Sequence, residues 1–449
     1  MRIGFTPGGK LFLAVLLVYC VCPPFTSFDS YYVVPTALSL IERHTTAVDP
    51  YVSAAPPVSR YAVECVPPNG PAVAFEQAHG CTGGHWYDYF SIGVPVVAAP
   101  VVAIIGLAVK LLHAVAPGAQ RLVAQPIIAA FFAGDFIGGH AIVELLCAAL
   151  FGALAVWLQY RIAGRFLSNR QAVWLALLFA FGTAEWTNGS RNLSQHGLSI
   201  LCLSVVLYLL LTADVARVRI ALAAVPLALA FTIRPSNSMA VAAITIYVAV
   251  HHRRSLLPFL GCAVPVALLF FAHNLSALHS IFPRYYDFHS PEPHPPLDGF
   301  VMNLVSPSRG LLVFTPIVVF SIAGIVLAIR HRWCWPLTPY LAAIVGLHAV
   351  LICRYWAGHS YGPRYFSDMA PLFVFFIIPA ILHWWKMTGP PRRIAAGVFL
   401  TLALWGIFVQ FRGATSLAAQ QWNIVPVDLD QAKWRVWDWH DPQFLRGLR

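Results

Sequence analysis

Apolar runs long enough to be membrane helices recur from one end of this chain to the other, at about residues 10–24, 92–112, 121–137, 139–160, 171–187, 196–213, 217–233, 238–251, 255–275, 310–329, 336–353, 369–385 and 394–411. A hydrocarbon core about 30 Å thick takes roughly 20 apolar residues in helical form, so the pattern predicts an all-α polytopic membrane protein with about thirteen transmembrane helices. The gaps between runs alternate in character. One set is short and basic: Arg2/Lys10, Lys110/Arg121, Arg161/Arg165/Arg170, Arg217/Arg219, His252/Arg253/Arg254, Arg330/Arg332 and Lys386/Arg392/Arg393. Short loops rich in Lys and Arg are retained in the cytoplasm, which sets the N-terminus inside.

The other set then lies outside. It comprises a large first extracytoplasmic loop of about 25–91, loops of about 276–308 and 353–368, and a short C-terminal segment, 412–449, after a transmembrane domain of 1–411. The first run, LFLAVLLVYCV, follows a basic start but precedes PPF with no small-x-small cleavage site, so it reads as an uncleaved span. The weakest run is 121–137; as an interfacial helix it would change the sidedness of Asp135 or of everything before it.

Composition agrees with the pattern and removes one alternative. Hydrophobic residues make up 59% of the chain, charged residues 10%, and mean hydropathy is +0.69. The formal charge of +11 sits in the short loops, with no basic helix or dense Lys/Arg run, so it expresses membrane topology and no nucleic acid partner is expected. Of nine cysteines, Cys65 and Cys81 share the first outer loop, as a disulfide pair or as two thiols; the rest lie in or beside apolar runs. No CxxC, HExxH, P-loop or dinucleotide glycine fingerprint occurs, so soluble-nucleotide chemistry has no support.

The remaining ionisable residues carry the functional signal. Asp29, Asp135, Glu185, Arg234, Arg284, Asp287, Arg309, Arg354, Arg364 and Asp368 all fall where an apolar run begins or ends, on the outer side under this topology. Charge beside a bilayer is costly unless it has a partner or a task. Asp29, in PPFTSFDSYY, reads as a general base or as the cap of the run that follows; Asp135, in FFAGDFIGGH, reads the same two ways. Glu185 and His196 flank a polar hairpin that would bind a metal or a sugar hydroxyl, or simply close on itself. Arginines outside are the sharper signal, because guanidinium groups grip phosphate oxygens with paired hydrogen bonds. Arg234, Arg309 and Arg364, then Arg354, are the expected phosphate ligands. Trp356, His359 and Tyr361 complete the candidate substrate contacts, with interface-belt packing the alternative for the aromatics.

SPSRGLLVFTPIVV, YWAGHSYGPRYFSDMAPLF, TNGSRNLSQHGLSILCLSVVLYLL and the TIRPSN turn resemble the pattern of bacterial membrane glycosyltransferases of the GT-C superfamily, and the likeness runs from Asp29 to about Pro371. The resemblance implies a sugar donor linked to polyprenyl phosphate and a glycan, lipid or protein hydroxyl as acceptor. It implies an inverting transfer among the lipids of a bacterial inner membrane, with the active site facing the periplasm. By position Asp29 and Asp135 correspond to the acids of the family's first and second outer loops. FDSYY stands where many relatives show paired acids, so a divalent cation, Mg or Mn, stays an open expectation. A transporter or flippase is the rival class. It would place charge at mid-depth and show internal repeats, whereas these charges gather at one boundary.

Overall fold

A computed structural model of the 449-residue chain describes residues 6–53, 57–78, 80–116, 118, 124–286, 295–355 and 358–448. Its principal helices are α1 (Pro7–Cys20), α2 (Val33–Arg43), α3 (Gly93–Val115), α4 (Pro126–Phe132), α5 (His140–Ala163), α6 (Asn169–Gly182), α7 (Gln195–Leu211), α8 (Val218–Ile233), α9 (Ser238–His251), α10 (Arg253–Ala277), α11 (Pro296–Val305), α12 (Val318–Arg330), α13 (Leu337–Ile352), α14 (Ala370–Trp385) and α15 (Pro390–Thr415). The expected all-α membrane architecture is what the chain adopts. Five helical stretches, Gly93–Val115, His140–Ala163, Arg253–Ala277, Arg364–Trp385 and Pro390–Thr415, are long and apolar enough to cross a membrane. α14 forms the centre: nearly all of it is buried, and its Phe373 carbonyl accepts from Ser321 of α12 at 2.8 Å. Gly324 of α12 lets that helix press against the Phe376 carbonyl, where a Cβ would stand only 1.7 Å away. Close backbone approach of this kind is how apolar helices associate without a hydrophobic difference between lipid and protein.

The two ends of the bundle differ chemically. Gly8 of α1 packs on Tyr160 of α5, so Arg161 in the last turn of α5 marks the end where α1 begins. Arg330 likewise closes α12. Cations at these C-termini complement the helix dipole as well as the topology. The opposite end carries the Asp29 turn.

Two expected crossings, 92–112 and 121–137, are not traversals of the bundle. Among the described residues of the second, Pro126–Phe132 alone is helical, seven residues or about 10 Å, far short of a bilayer. α3 is long enough, yet both of its ends are tied to the Asp29 end. A Cβ on Gly93 would sit 2.7 Å from the carbonyl oxygen of Thr232, two residues before Arg234. At its other end His113 reaches the Phe132 carbonyl. Phe131, beside it, packs on Gly139 at the start of α5, whose His140 ring meets Tyr31 at 4.9 Å. α3 therefore lies across that end with α2 packed on it. Hydropathy reports that its surface is apolar, and most of that surface, Ile104, Leu107 and Leu111 included, is exposed as on a lipid-facing helix; it does not report the direction in which the helix runs. Since the two segments drop out together, every other sidedness is unchanged, and eleven of the thirteen runs remain as candidate spans.

Within the first outer loop a small antiparallel sheet orders as β2 (Val73–Ala74), β1 (Val63–Val66) and β3 (His85–Asp88). Cys65 pairs with Trp86 across β1 and β3, and Cys65 is disulfide-bonded to Cys81. Of the two readings left open for these cysteines, the structure shows the bonded pair.

Candidate functional site

Asp29 stands at the centre of a convergence of distant segments. It sits in a 3-10 turn, Phe28–Ser30, that starts at Ser27, whose hydroxyl accepts from the Asp29 amide at 3.3 Å. The capping residue is thus Ser27, and the Asp29 carboxylate is left free to face inward. Its Oδ2 accepts from the Arg364 guanidinium at 2.6 Å and its Oδ1 from the Tyr61 hydroxyl at 2.7 Å. The Asp29 side chain keeps 17% of its surface exposed. Burial pushes its carboxyl up, but the Arg364 guanidinium, then the Tyr61 hydroxyl and His196, outweigh burial and hold it below the usual carboxylate range. Asp29 is an ionised carboxylate over the whole physiological range.

Arg364 is delivered by the YGPR turn. Gly362 has φ +64, and the Phe314 ring lies 2.5 Å from where its Cβ would be, so this position needs glycine twice over. Pro363 then starts a 3-10 turn, Arg364–Met369, that carries Arg364, Tyr365 and Asp368 in succession. The Arg364 guanidinium lies over the Tyr365 ring, 5.5 Å from its centroid, and Arg234 lies 6.0 Å from the same ring. Tyr365 therefore bridges two cations.

Behind it is a second, largely buried layer. Arg234 caps α8 in an extended conformation where Pro235 stops the helix, and Asn237 of the same turn donates to the Ala230 carbonyl at 2.8 Å. Arg234 reaches Asp368 Oδ2 at 3.1 Å, and His196, in the first turn of α7, reaches Asp368 Oδ1 at 3.0 Å. Arg234 also lies 2.5 Å from Nδ1 of His196. The Nε atoms of both Arg234 and Arg364 are buried without a hydrogen-bond partner.

The other expected site residues are distributed differently. Arg309 is fully buried, and its terminal nitrogens donate to the Ser308 and Gly358 carbonyls, Gln443 and Asn423 at 2.7 to 3.2 Å. It ties the C-terminal segment to the outer loops, with acceptors that the fold fixes in place. Asp135 is exposed and its Oδ1 accepts from the Ile137 and Gly138 amides at 3.1 and 2.9 Å, closing the turn before α5, whose cap is Gly139. Glu185 and His196 are not brought onto one ligand. Glu185 is buried against Gly152 and Gly189, with neither carboxylate oxygen hydrogen-bonded, while His196 turns to Asp368. Tyr361 is buried, donates to the Val409 carbonyl at 2.6 Å and meets Phe314 edge-on, which makes it a packing residue. Arg354 is exposed at the end of α13. Trp356 and Asp287 lie outside the described residues.

His359 joins Asp428 at 3.1 Å and Asp430 at 3.8 Å. Among the described residues this is the set that could hold a cation, its ligand atoms all within 4.8 Å of one another. Mixed nitrogen and oxygen donors suit Mn better than Mg. An ion there would clasp the C-terminal segment to the outer loop; the Asp29 carboxylate is already committed to Arg364 and Tyr61.

Tyr61, Tyr365 and Asp368 were missing from the candidate set. Asp368 shared the boundary signal of the other acids. Tyr61 gave none, because a tyrosine in an aromatic-rich loop is indistinguishable from its neighbours until the loop folds back on Asp29.

No curated protein matches the chain. The family model for dolichyl-phosphate-mannose-protein mannosyltransferase matches residues 123–276. That stretch includes His196 and Arg234, whereas Asp29, Arg364 and Asp368 lie outside it. The match covers about a third of the chain and, with the helical membrane architecture, supports the resemblance to the GT-C superfamily of membrane glycosyltransferases.

Proposed function

We propose that this protein transfers a sugar from a polyprenyl-phosphate donor to a hydroxyl on an extracytoplasmic acceptor, with inversion at the anomeric carbon. The observation that carries the reading is the Asp29–Arg364 contact at 2.6 Å, backed by Arg234 across the shared Tyr365 ring. An acid that can take a proton and two guanidiniums that can take a phosphate meet in one place. The family whose model matches is described by a lipid-phosphate sugar donor, which is the chemistry those arginines suit.

In the proposed cycle the donor phosphate approaches Arg364 and draws its guanidinium off Asp29. The exchange does two things at once. Arg364 becomes a ligand of the leaving phosphate, and Asp29 loses the cation that kept it a weak base. The acceptor oxygen attacks the anomeric carbon as the bond from that carbon to the phosphate oxygen breaks. Asp29 takes the acceptor's proton, and the electron pair of the broken bond stays on the lipid phosphate, where Arg364 and Arg234 stabilise the added charge. One displacement inverts the centre. Asp368 and His196 hold Arg234 in position. No nucleotide enters the cycle.

Purified protein in lipid or detergent, given a panel of polyprenyl-phosphate sugars and candidate acceptors, should release polyprenyl phosphate in step with glycosylated product. Asp29→Asn should slow that transfer by about 100- to 10,000-fold. Wild-type rates from Asp29→Asn would remove the proposed base and the reading with it.

A further inference from the structure

A second acid, Glu144, is buried beneath the Asp29 turn. It lies in the second turn of α5 and is fully enclosed. Its Oε2 accepts from the Ser30 hydroxyl at 2.5 Å and from the Leu193 amide at 3.2 Å. Ser30 is itself fully buried, and its hydroxyl also lies 3.0 Å from the Ser27 carbonyl, so it is locked into the same turn whose middle residue is Asp29. Leu193 immediately precedes Ser194, the cap of α7, and His196 stands in the first turn of that helix. One carboxylate oxygen thus joins the two halves of the site: the turn bearing Asp29 and the helix start bearing His196.

We infer that Glu144 is a positioning residue for sugar transfer, setting the spacing between Asp29 and the Arg234–His196–Asp368 layer. Burial of a carboxylate is costly, and Glu144 meets that cost with the Ser30 and Thr26 hydroxyls and the Leu193 amide. For packing alone an apolar side chain in this helix would serve better. What an apolar residue cannot supply is an acceptor shared by Ser30 and Leu193. The other side-chain ties of the 27–30 turn run through Asp29 itself, to Arg364 and Tyr61, the groups a substrate would meet. If the turn rotates, the Asp29 carboxylate moves away from the acceptor hydroxyl, and misplacement of a reacting group by about 1 Å can cost on the order of 100-fold. The inference rests on Asp29 being the base.

The test uses the full-length protein and reads kcat, donor KM and melting temperature for Ser30→Ala, Glu144→Leu and Glu144→Gln, each alone and in an Asp29→Asn background. Ser30→Ala and Glu144→Leu should lower kcat by about 10- to 100-fold with donor KM little changed. Glu144→Gln keeps an acceptor oxygen and should retain most of the activity. In the Asp29→Asn background, where no carboxylate remains to be aimed, Ser30→Ala should cause no further loss. Ser30→Ala alone decides the matter if Glu144→Leu does not fold. Normal kcat in Ser30→Ala, or an equal loss from it with and without Asp29, overturns the inference. Full activity of Asp29→Asn would instead overturn the underlying reading, so the two failures are distinguishable.

Discussion

Arg309 and Arg364 are both arginines of the outer loops, both embedded in protein, and they do opposite things. Arg309 donates to two backbone carbonyls and two side-chain amides, neutral acceptors from segments that nothing in the site would move. Arg364 faces one carboxylate and stacks on one ring, and both arginines keep a buried Nε without a partner. An arginine held by several neutral acceptors that the fold fixes is a strut. A single ion pair at a partly open edge is an exchangeable contact, because an incoming phosphate can replace the carboxylate in kind. The partner, more than the charge or its place at the boundary, separates structure from ligand binding.

The sharpest way to break this comparison is to remove the base. Asp29→Asn keeps the shape and the hydrogen bond to Tyr61, but cannot take a proton. Loss of a positioned general base costs about 100- to 10,000-fold, so kcat should fall by that range with the melting temperature near wild type. A melting temperature that collapses along with activity would instead put Asp29 in the same class as Arg309.

The two arginines should then part company under the same substitution. Arg309→Met strands three acceptors in the protein interior, Gln443 keeping the Gly362 amide, at about 1–3 kcal/mol for each one left unsatisfied, so a loss of roughly 3 kcal/mol or more is expected even after relaxation. Thermal unfolding in detergent should show it, with per-molecule activity of the surviving fold largely kept. Arg364→Lys preserves charge but loses the flat, two-pronged donor, and should raise donor KM by about tenfold with little change in melting temperature. If Arg309→Met weakens donor binding at full stability, the division between strut and ligand fails.

How much of this was legible beforehand follows the same division. Boundary charges are visible in a sequence because hydropathy is one-dimensional, and they did mark Asp29, Arg234, Arg364 and Asp368 as a group. Helix existence was legible for the same reason. What hydropathy cannot carry is partnership. Nothing in SPSRGLLVF announces that Arg309 will meet Gln443 and Asn423 from the far end of the chain. Nor does LAVKLLH announce that α3 will lie along the Asp29 end of the bundle, with α2 packed on one side of it and much of its apolar surface left exposed. Tyr61 was hidden because its significance comes from a fold-back of the first loop. Glu144 was hidden because a single acid inside an apolar run is silent about which turn it braces.

The smallest expected effect is also the one that probes the exchange most directly. In the free protein Arg364 holds the Asp29 carboxyl below its usual range, so the pairing contributes stability above the unfolded-state value near 4 and is lost as pH falls through the lower folded value. The acid limb of kcat/KM, which reports the free enzyme, should therefore lie below about pH 4. Once donor is bound, the cation is shared with phosphate and Asp29 becomes more basic. The acid limb of kcat should accordingly stand at higher pH than that of kcat/KM, and Arg364→Gln should bring the two together by raising the free-enzyme limb. Coincident limbs in the wild type, unmoved by Arg364→Gln, would mean that Arg364 stays on Asp29 throughout and that the phosphate is held elsewhere.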